Sequence, residues 1–159
     1  MPEPILADAV PHHFCVSVGD REAAIDWWRD LFGFACEFTF EIPHIGAKGA
    51  FLRKGSMRIE IFEIAGSSAT PQDRRLPNTD LQTQGTKHFC FAVDNVQVAL
   101  DAVHAAGVRI AGVMRDRKDG MRAEDDPRLR EGIKPASAFF ITDPWGTLIE
   151  ILDRADFAA

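Results

Sequence analysis

The tripeptide His-Phe-Cys occurs twice, at His13-Phe14-Cys15 and His88-Phe89-Cys90, and each copy heads a segment of the same design. The first reads HFCVSVGDREAAIDWWRDLFGF and the second HFCFAVDNVQVALDAVHAAGV. An internal repeat on this scale confines the chain to two copies of one supersecondary unit. Phe14, Val16 and Val18 fall on one strand face, with His13, Cys15 and Ser17 on the other. Phe89, Phe91 and Val93 oppose His88, Cys90 and Ala92 in the same way. Successive strand side chains point to opposite faces. The larger apolar face packs on a helix, which turns each histidine away from it.

The helices follow directly. Asp20 is placed to cap the first, with Glu22 in its first turn. Ala24, Trp28 and Leu31 form its apolar stripe, flanked by Ile25 and Phe32, and Gly33 stops it. In the second copy Asp94 is the expected cap, with Gln97 completing a capping box. Val96, Leu100 and Val103 form the stripe and Gly107 the stop. Three strand signals come after each helix: FACEFTFEI, KGAFLRKG and SMRIEIFEI, then VRIAGVMRD, SAFFITDP and TLIEILDR. Each half therefore reads β-α-β-β-β, an α+β chain with modules over 10–65 and 86–154. The join at 66–85 is rich in Ser, Thr, Pro, Asn and Gln, lacks periodicity and reads as a surface linker. A second irregular stretch, RDRKDGMRAEDDPRLREGIKPA, is long for a loop in a compact domain.

At 159 residues the chain makes one domain of two halves. Its formal net charge of −6 and the lack of a basic stripe argue against nucleic acid as a partner. No apolar run is long enough to span a bilayer. The opening MPEPILADAV lacks the pattern of a signal peptide. Three cysteines at uneven spacing make neither a disulfide framework nor a CxxC site, and a reducing cytoplasm is the expected location. Cys15 and Cys90 read as small core residues.

A second repeated mark carries chemistry. Glu60 in SMRIEIFEI and Glu150 in TLIEILDR interrupt otherwise apolar strands. Ile59 and Ile61 point one way and Glu60 the other; Ile149 and Ile151 oppose Glu150. A carboxylate in such a strand is costly unless paired or bound to a metal. Glu63 and Asp153, at strand ends, are expected to be solvated. His13, Glu60, His88 and Glu150 thus recur in order, two per half, and form a candidate metal site. Imidazole with carboxylate suits Zn, Fe, Ni, Co or Mn. His12 is expected on the opposite face from His13, His104 toward solvent, and His44 near a turn.

These segments resemble the vicinal oxygen chelate superfamily: glyoxalase I, methylmalonyl-CoA epimerase, extradiol dioxygenases and bleomycin or fosfomycin resistance proteins. HFCVSVGDREAAIDWWRDLFGF looks like that family's opening strand and helix, RIEIFE like the end of its first module, and GTKHFCFAVDNV with DPWGTLIEIL like its second. The resemblance implies two βαβββ modules curved into a cup around one divalent ion, with ligands His13, Glu60, His88 and Glu150. It implies a small-molecule substrate with two adjacent oxygens and a homodimer. Trp27-Trp28 stands where Phe-Tyr is commoner, in a packing position.

By the same resemblance the reaction is proton transfer next to a carbonyl, as in a lyase or isomerase, with Glu150 as base and Glu60 as second shuttle. A rival reading takes His13, His88 and Glu150 alone as the two-His, one-carboxylate triad of an Fe(II) dioxygenase. The chain has no Tyr, whereas extradiol relatives generally use one. A metal-independent binding module of the antibiotic-sequestering kind is the third reading. Arg115, Arg117, Lys118 and Arg122 could clamp a substrate anion, but interleaved acids make a solvated mixed-charge loop the better expectation. Asp143-Pro144-Trp145-Gly146 reads as a structural turn, with Trp145 either lining the cup mouth or packing beneath it.

Overall fold

In the computed structural model of the chain, which describes residues 4–156, the repeat becomes two four-stranded sheets with one helix each. The first unit holds β1 (His13–Val18), α1 (Arg21–Phe32), β2 (Ala35–Ile42), β3 (Ala47–Lys54) and β4 (Met57–Ile64). The second holds β5 (Phe89–Val93), α2 (Val96–Ala105), β6 (Ile110–Met114), β7 (Ala138–Thr142) and β8 (Leu148–Asp153). Strand orders β1-β4-β3-β2 and β5-β8-β7-β6 are the same permutation. The first strand of each module runs parallel to the last and the other pairs are antiparallel. This is the α+β arrangement of two βαβββ modules. Contacts within the chain divide it after Ser67.

Alternation sets the faces. Val16, Val18, Ile59 and Ile61 are buried in the first unit, and Leu100, Ile149 and Ile151 in the second. Helix α1 starts where Asp20 accepts the Ala23 N–H at 3.0 Å and ends at Gly33, whose φ of 73° an L-residue rarely adopts. Glu63 is not simply solvated. It accepts the Arg21 N–H at 2.8 Å and pairs with Lys48 at 3.1 Å, so it ties β4 to the first turn of α1. Those bonds, the backbone one foremost, hold its carboxyl below the usual range.

Helix α2 corrects two expectations. Its cap is Asn95, which accepts the Val98 N–H at 3.0 Å, whereas Asp94 pairs with Arg154 at 2.7 Å. Asn95 stands at the same offset from His88 as Asp20 does from His13, and an amide oxygen caps as well as a carboxylate. Gln97 makes no capping box. It is buried, accepts from the Ala136 N–H at 2.9 Å and Arg115 at 3.1 Å, and donates to Asp101 at 2.8 Å.

Gln97 is the anchor of the long stretch after β6. Arg115 donates to both Glu124 oxygens at 2.8 and 2.7 Å, to Gln97, and to the carbonyls of Pro127 and Lys134 at 2.6 Å. Every guanidinium nitrogen is committed, so Arg115 is a staple rather than an anion clamp. Arg122 pairs with Asp119, Arg117 approaches Asp156 and Lys134 pairs with Asp116. The stretch is a mixed-charge loop with its own internal order.

The turn between β7 and β8 is built by Asp143, which is 3 % exposed. Its Oδ1 accepts the N–H groups of Trp145 at 3.0 Å and Thr147 at 2.7 Å, while Oδ2 is buried without a partner among the described residues. Desolvation outweighs those bonds and raises its carboxyl above the ordinary range. A raised folded pKa means the fold holds this proton more tightly than the unfolded chain. Its contribution favours folding in acid and is lost as pH rises through the folded value. Asp143→Asn keeps the Oδ1 acceptor and removes the buried charge. It should melt about 2–4 °C above the parent at pH 7, on the order of 1 kcal/mol. Calorimetric scans down to pH 3 should show that gap closing; a gap independent of pH would refute the assignment.

Candidate metal centre

Each unit presents one histidine beside one glutamate. His13 Nε2 lies 3.3 Å from Glu60 Oε2, and His88 Nε2 lies 3.2 Å from Glu150 Oε2. The cause is register. Cys15 pairs with Glu60 across β1 and β4, and Cys90 with Glu150 across β5 and β8. His13 and His88, two residues earlier on the same face, then meet the carboxylate tips. Both glutamates are largely covered, at 19 % and 22 % side-chain exposure, with the imidazoles more open at 34 % and 37 %. Donors about 2.1 Å from one divalent ion stand about 3.0 Å apart at a right angle and about 3.4 Å at a tetrahedral angle. Each pair therefore has the donor types and the spacing of two neighbouring ligands. Among the described residues there is no group of three or more His, Cys, Asp or Glu that could hold an ion.

Cys15 and Cys90 are exposed, contrary to the core role expected of them. Strand alternation puts them on the histidine face, and that outweighs the general tendency of free cysteine to be buried. Local desolvation, then the adjacent Glu60, pushes the Cys15 thiol up to about 11; desolvation and Glu150 push Cys90 up to about 12. Both stay protonated at neutral pH.

His12 also departs from expectation. It precedes β1, so alternation does not govern it, and its Nδ1 lies 2.8 Å from that of His13. A proton on His13 Nδ1 leaves Nε2 as the lone-pair donor beside Glu60, the orienting contact that metal-binding histidines commonly have. His44 lies exposed in the 3-10 turn Pro43–Ile45, and His104 is half-buried at the end of α2.

Two phenylalanines complete the symmetry. Phe51 is opposite Glu60 on β3, and Phe140 opposite Glu150 on β7. Each sets a ring edge-on to its histidine, at 5.3 Å for His13–Phe51 and 5.1 Å for His88–Phe140. Carrying the repeat into KGAFL and SAFFI would have found them. Beyond Phe51 the first unit continues in rings: Phe38 at 5.2 Å, Phe40 at 5.9 Å, and Phe62 at 5.7 Å from Phe40. Gly49 permits this, since a Cβ there would collide with the Phe40 ring. The result is an apolar floor beside the His13–Glu60 pair.

The second unit is covered instead. Leu76 and Met121 pack on Ala111, Phe140 and Leu148, and Pro77 with Met121 closes over Gly112. The segment before β5 thus lies across the face that carries Glu150. It leaves a cavity of about 90 Å³ beside His88, bordered by Arg74, Leu76, Pro77, Lys87 and Phe140.

A model of the Glyoxalase/Bleomycin resistance protein/Dioxygenase superfamily matches residues 10–151. The mitochondrial methylmalonyl-CoA epimerase of Mus musculus is 25% identical over 141 residues, covering 88% of this chain and 70% of that protein. The Leishmania major glyoxalase I, described as trypanothione-dependent, superposes with a TM-score of 0.60 at 18% identity, covering 89% of this chain and 84% of that one. The fosfomycin resistance protein FosX of Listeria monocytogenes, solved with Mn(II) and sulfate, superposes with a TM-score of 0.54 at 15% identity, with 90% of each chain covered. Among the described residues no helix is long and apolar enough to cross a membrane.

Proposed function

The chain belongs to the Glyoxalase/Bleomycin resistance protein/Dioxygenase superfamily, and from that premise we propose that it is a divalent-metal-dependent lyase or isomerase of the glyoxalase I or methylmalonyl-CoA epimerase type. The observation that carries this reading is the twin His–Glu pair at 3.3 and 3.2 Å in equivalent registers. His13, Glu60, His88 and Glu150 would be the ligands, two imidazoles and two carboxylates whose charge would balance that of a divalent ion. A divalent cation held by these residues would supply Lewis-acid polarisation of a substrate carbonyl, which acidifies the adjacent C–H. Glu150 takes that proton on a carboxylate oxygen, and Glu60 delivers or accepts one as the second shuttle. Phe51 and Phe140 hold the two imidazoles edge-on and keep water from one side of each pair. The substrate is a small molecule with two adjacent oxygens.

The three-ligand dioxygenase reading needs Glu60 to differ in kind from Glu150. Equal partners, equal register and near-equal burial support the four-ligand reading instead.

Elemental analysis of protein purified without added metal or chelator tests the proposal, with His88→Ala alongside. About one Zn, Ni, Co or Mn per chain is expected, and its loss in the variant, which removes one of the four ligands. Iron at that level, lost in the variant, would favour the dioxygenase. No metal in either protein, and none taken up on titration, would leave the binding module.

A further inference from the structure

The two histidines of the candidate centre are held by different means. His13 lies inside β1, with Arg58 opposite it on β4 and a ring nitrogen of His12 2.8 Å from its own. His88 stands just outside β5, since the ladder to β8 begins one residue later, at Phe89 opposite Ile149. The pairing that fixes the first imidazole therefore stops short of the second. Backbone just beyond the end of a ladder opens more readily than backbone within it. His88 nevertheless stands 3.2 Å from Glu150, close to the 3.3 Å between His13 and Glu60. A support other than the ladder sets its place.

Lys87 precedes His88 as His12 precedes His13, so the repeat puts those two residues at equivalent positions. Lys87 Nζ donates to the Asp80 carbonyl at 2.5 Å, to Asp80 Oδ2 at 3.2 Å and to the Thr83 carbonyl. An ammonium has three hydrogens, and all three are used. The Asp80 side chain is 9 % exposed and is braced in turn by Arg74 Nε at 3.0 Å. Charge-assisted bonds to so covered a carboxylate are stronger than those of a surface pair. The Thr83 N–H closes the turn on the Asp80 carbonyl at 3.3 Å. This turn is fastened to the sheet. The Thr79 hydroxyl donates to the Leu76 carbonyl at 3.0 Å, and Leu76 packs on the cluster of Ala111, Phe140 and Leu148. Phe140 is also the ring set edge-on to His88 at 5.1 Å. The circuit closes: His88 to Lys87 along the chain, Lys87 to Asp80 by charge, Asp80 to Leu76 through the turn, and Leu76 to Phe140 by packing.

We propose that Lys87, acting through Asp80, is a positioning residue that holds His88 against Phe140 and so within reach of Glu150. Its place in the site rests on reading His88 and Glu150 as two of the metal ligands. The segment that sequence reads as a mere connection then supplies, in the second unit, the constraint that strand pairing supplies to His13 in the first.

The test is NMR of the full chain freed of metal by chelation. It reads the nuclear Overhauser contact between the His88 and Phe140 rings, with His13 and Phe51 as the reference in the same sample. The ring centroids are 5.1 and 5.3 Å apart, so the parent should show both contacts. Lys87→Met keeps the stem and removes every donation. It should weaken the His88 contact severalfold and leave the His13 contact unchanged. Asp80→Asn removes the charge but leaves Lys87 the backbone carbonyl. It should give a smaller loss in the same pair, and it carries the test if the methionine variant does not fold. Zn(II) titration of the same proteins should show affinity about tenfold weaker in Lys87→Met. A full-strength His88 contact in both variants, or an equal loss of both ring pairs in Asp80→Asn, would overturn the proposal. So would a Zn(II) affinity that holds steady, in a chain that binds the ion, after the His88 contact is lost. The metal reading fails separately. A parent that takes up no Zn(II), with the His88 contact still dependent on Lys87, would remove that reading and keep the hold of Lys87 on His88.

Discussion

Glu150→Gln should lose proton exchange at the α-carbon of the enantiomer that Glu150 deprotonates by a factor of about 10² to 10⁴, with the fold intact. Glutamine keeps the length and one oxygen of the side chain, so it fills the same place on β8 beside His88. It cannot carry the proton. Glu150 is held at the centre of its sheet by pairing with Cys90 and Phe140, so the strand has no reason to shift. Deuterium uptake from solvent, followed by NMR at saturating divalent metal, reads the chemical step apart from metal affinity. Glu60→Gln should show the converse. The enantiomer that Glu150 deprotonates should still exchange while its inversion stops. Wild-type exchange in Glu150→Gln at full metal occupancy would end its assignment as the base.

The equivalence of the two glutamates is legible in the amino-acid sequence. Each marks the same interruption of an apolar strand, and alternation turns each away from its flanking isoleucines. The same rule exposes Cys15 and Cys90, although the general tendency of free cysteine points to the core; the local pattern is the better guide. The shift from Asp94 to Asn95 has a similar origin. Both residues can cap, and only the register of the repeat distinguishes them. The roles of Arg115 and Gln97 are not legible, because their partners, Glu124, Pro127, Lys134 and Ala136, are remote in sequence and share no period with them. The segment carrying Arg74, Leu76 and Pro77 is illegible for the same reason. Its residues are ordered by what they cover, the face of Phe140 and Gly112, and no local propensity records that.

The repeat is equal at the surface that carries the pairs and unequal beneath it, and this leads to the largest expected loss of stability. Trp28 is fully buried, with Phe14, Trp27, Phe32 and Phe34 around it at ring distances of 5.0 to 6.0 Å. At the matching offset in the second module stands Val103, 9 % exposed. Trp28→Ala should cost about 3–5 kcal/mol, because the surrounding rings cannot collapse into so large a space. Against a total of about 5–15 kcal/mol, that is a substantial share. Val103→Ala should cost on the order of 2 kcal/mol, scaled to the smaller group removed. Guanidinium unfolding monitored by circular dichroism would give both values. The consequence reaches the site through β1. Phe14 faces Trp28 while its neighbours His13 and Cys15 face Glu60, so packing against α1 sets the angle at which His13 meets its partner. A Trp28→Ala chain that unfolds at nearly the parent's midpoint would show that α1 does not hold that strand in place.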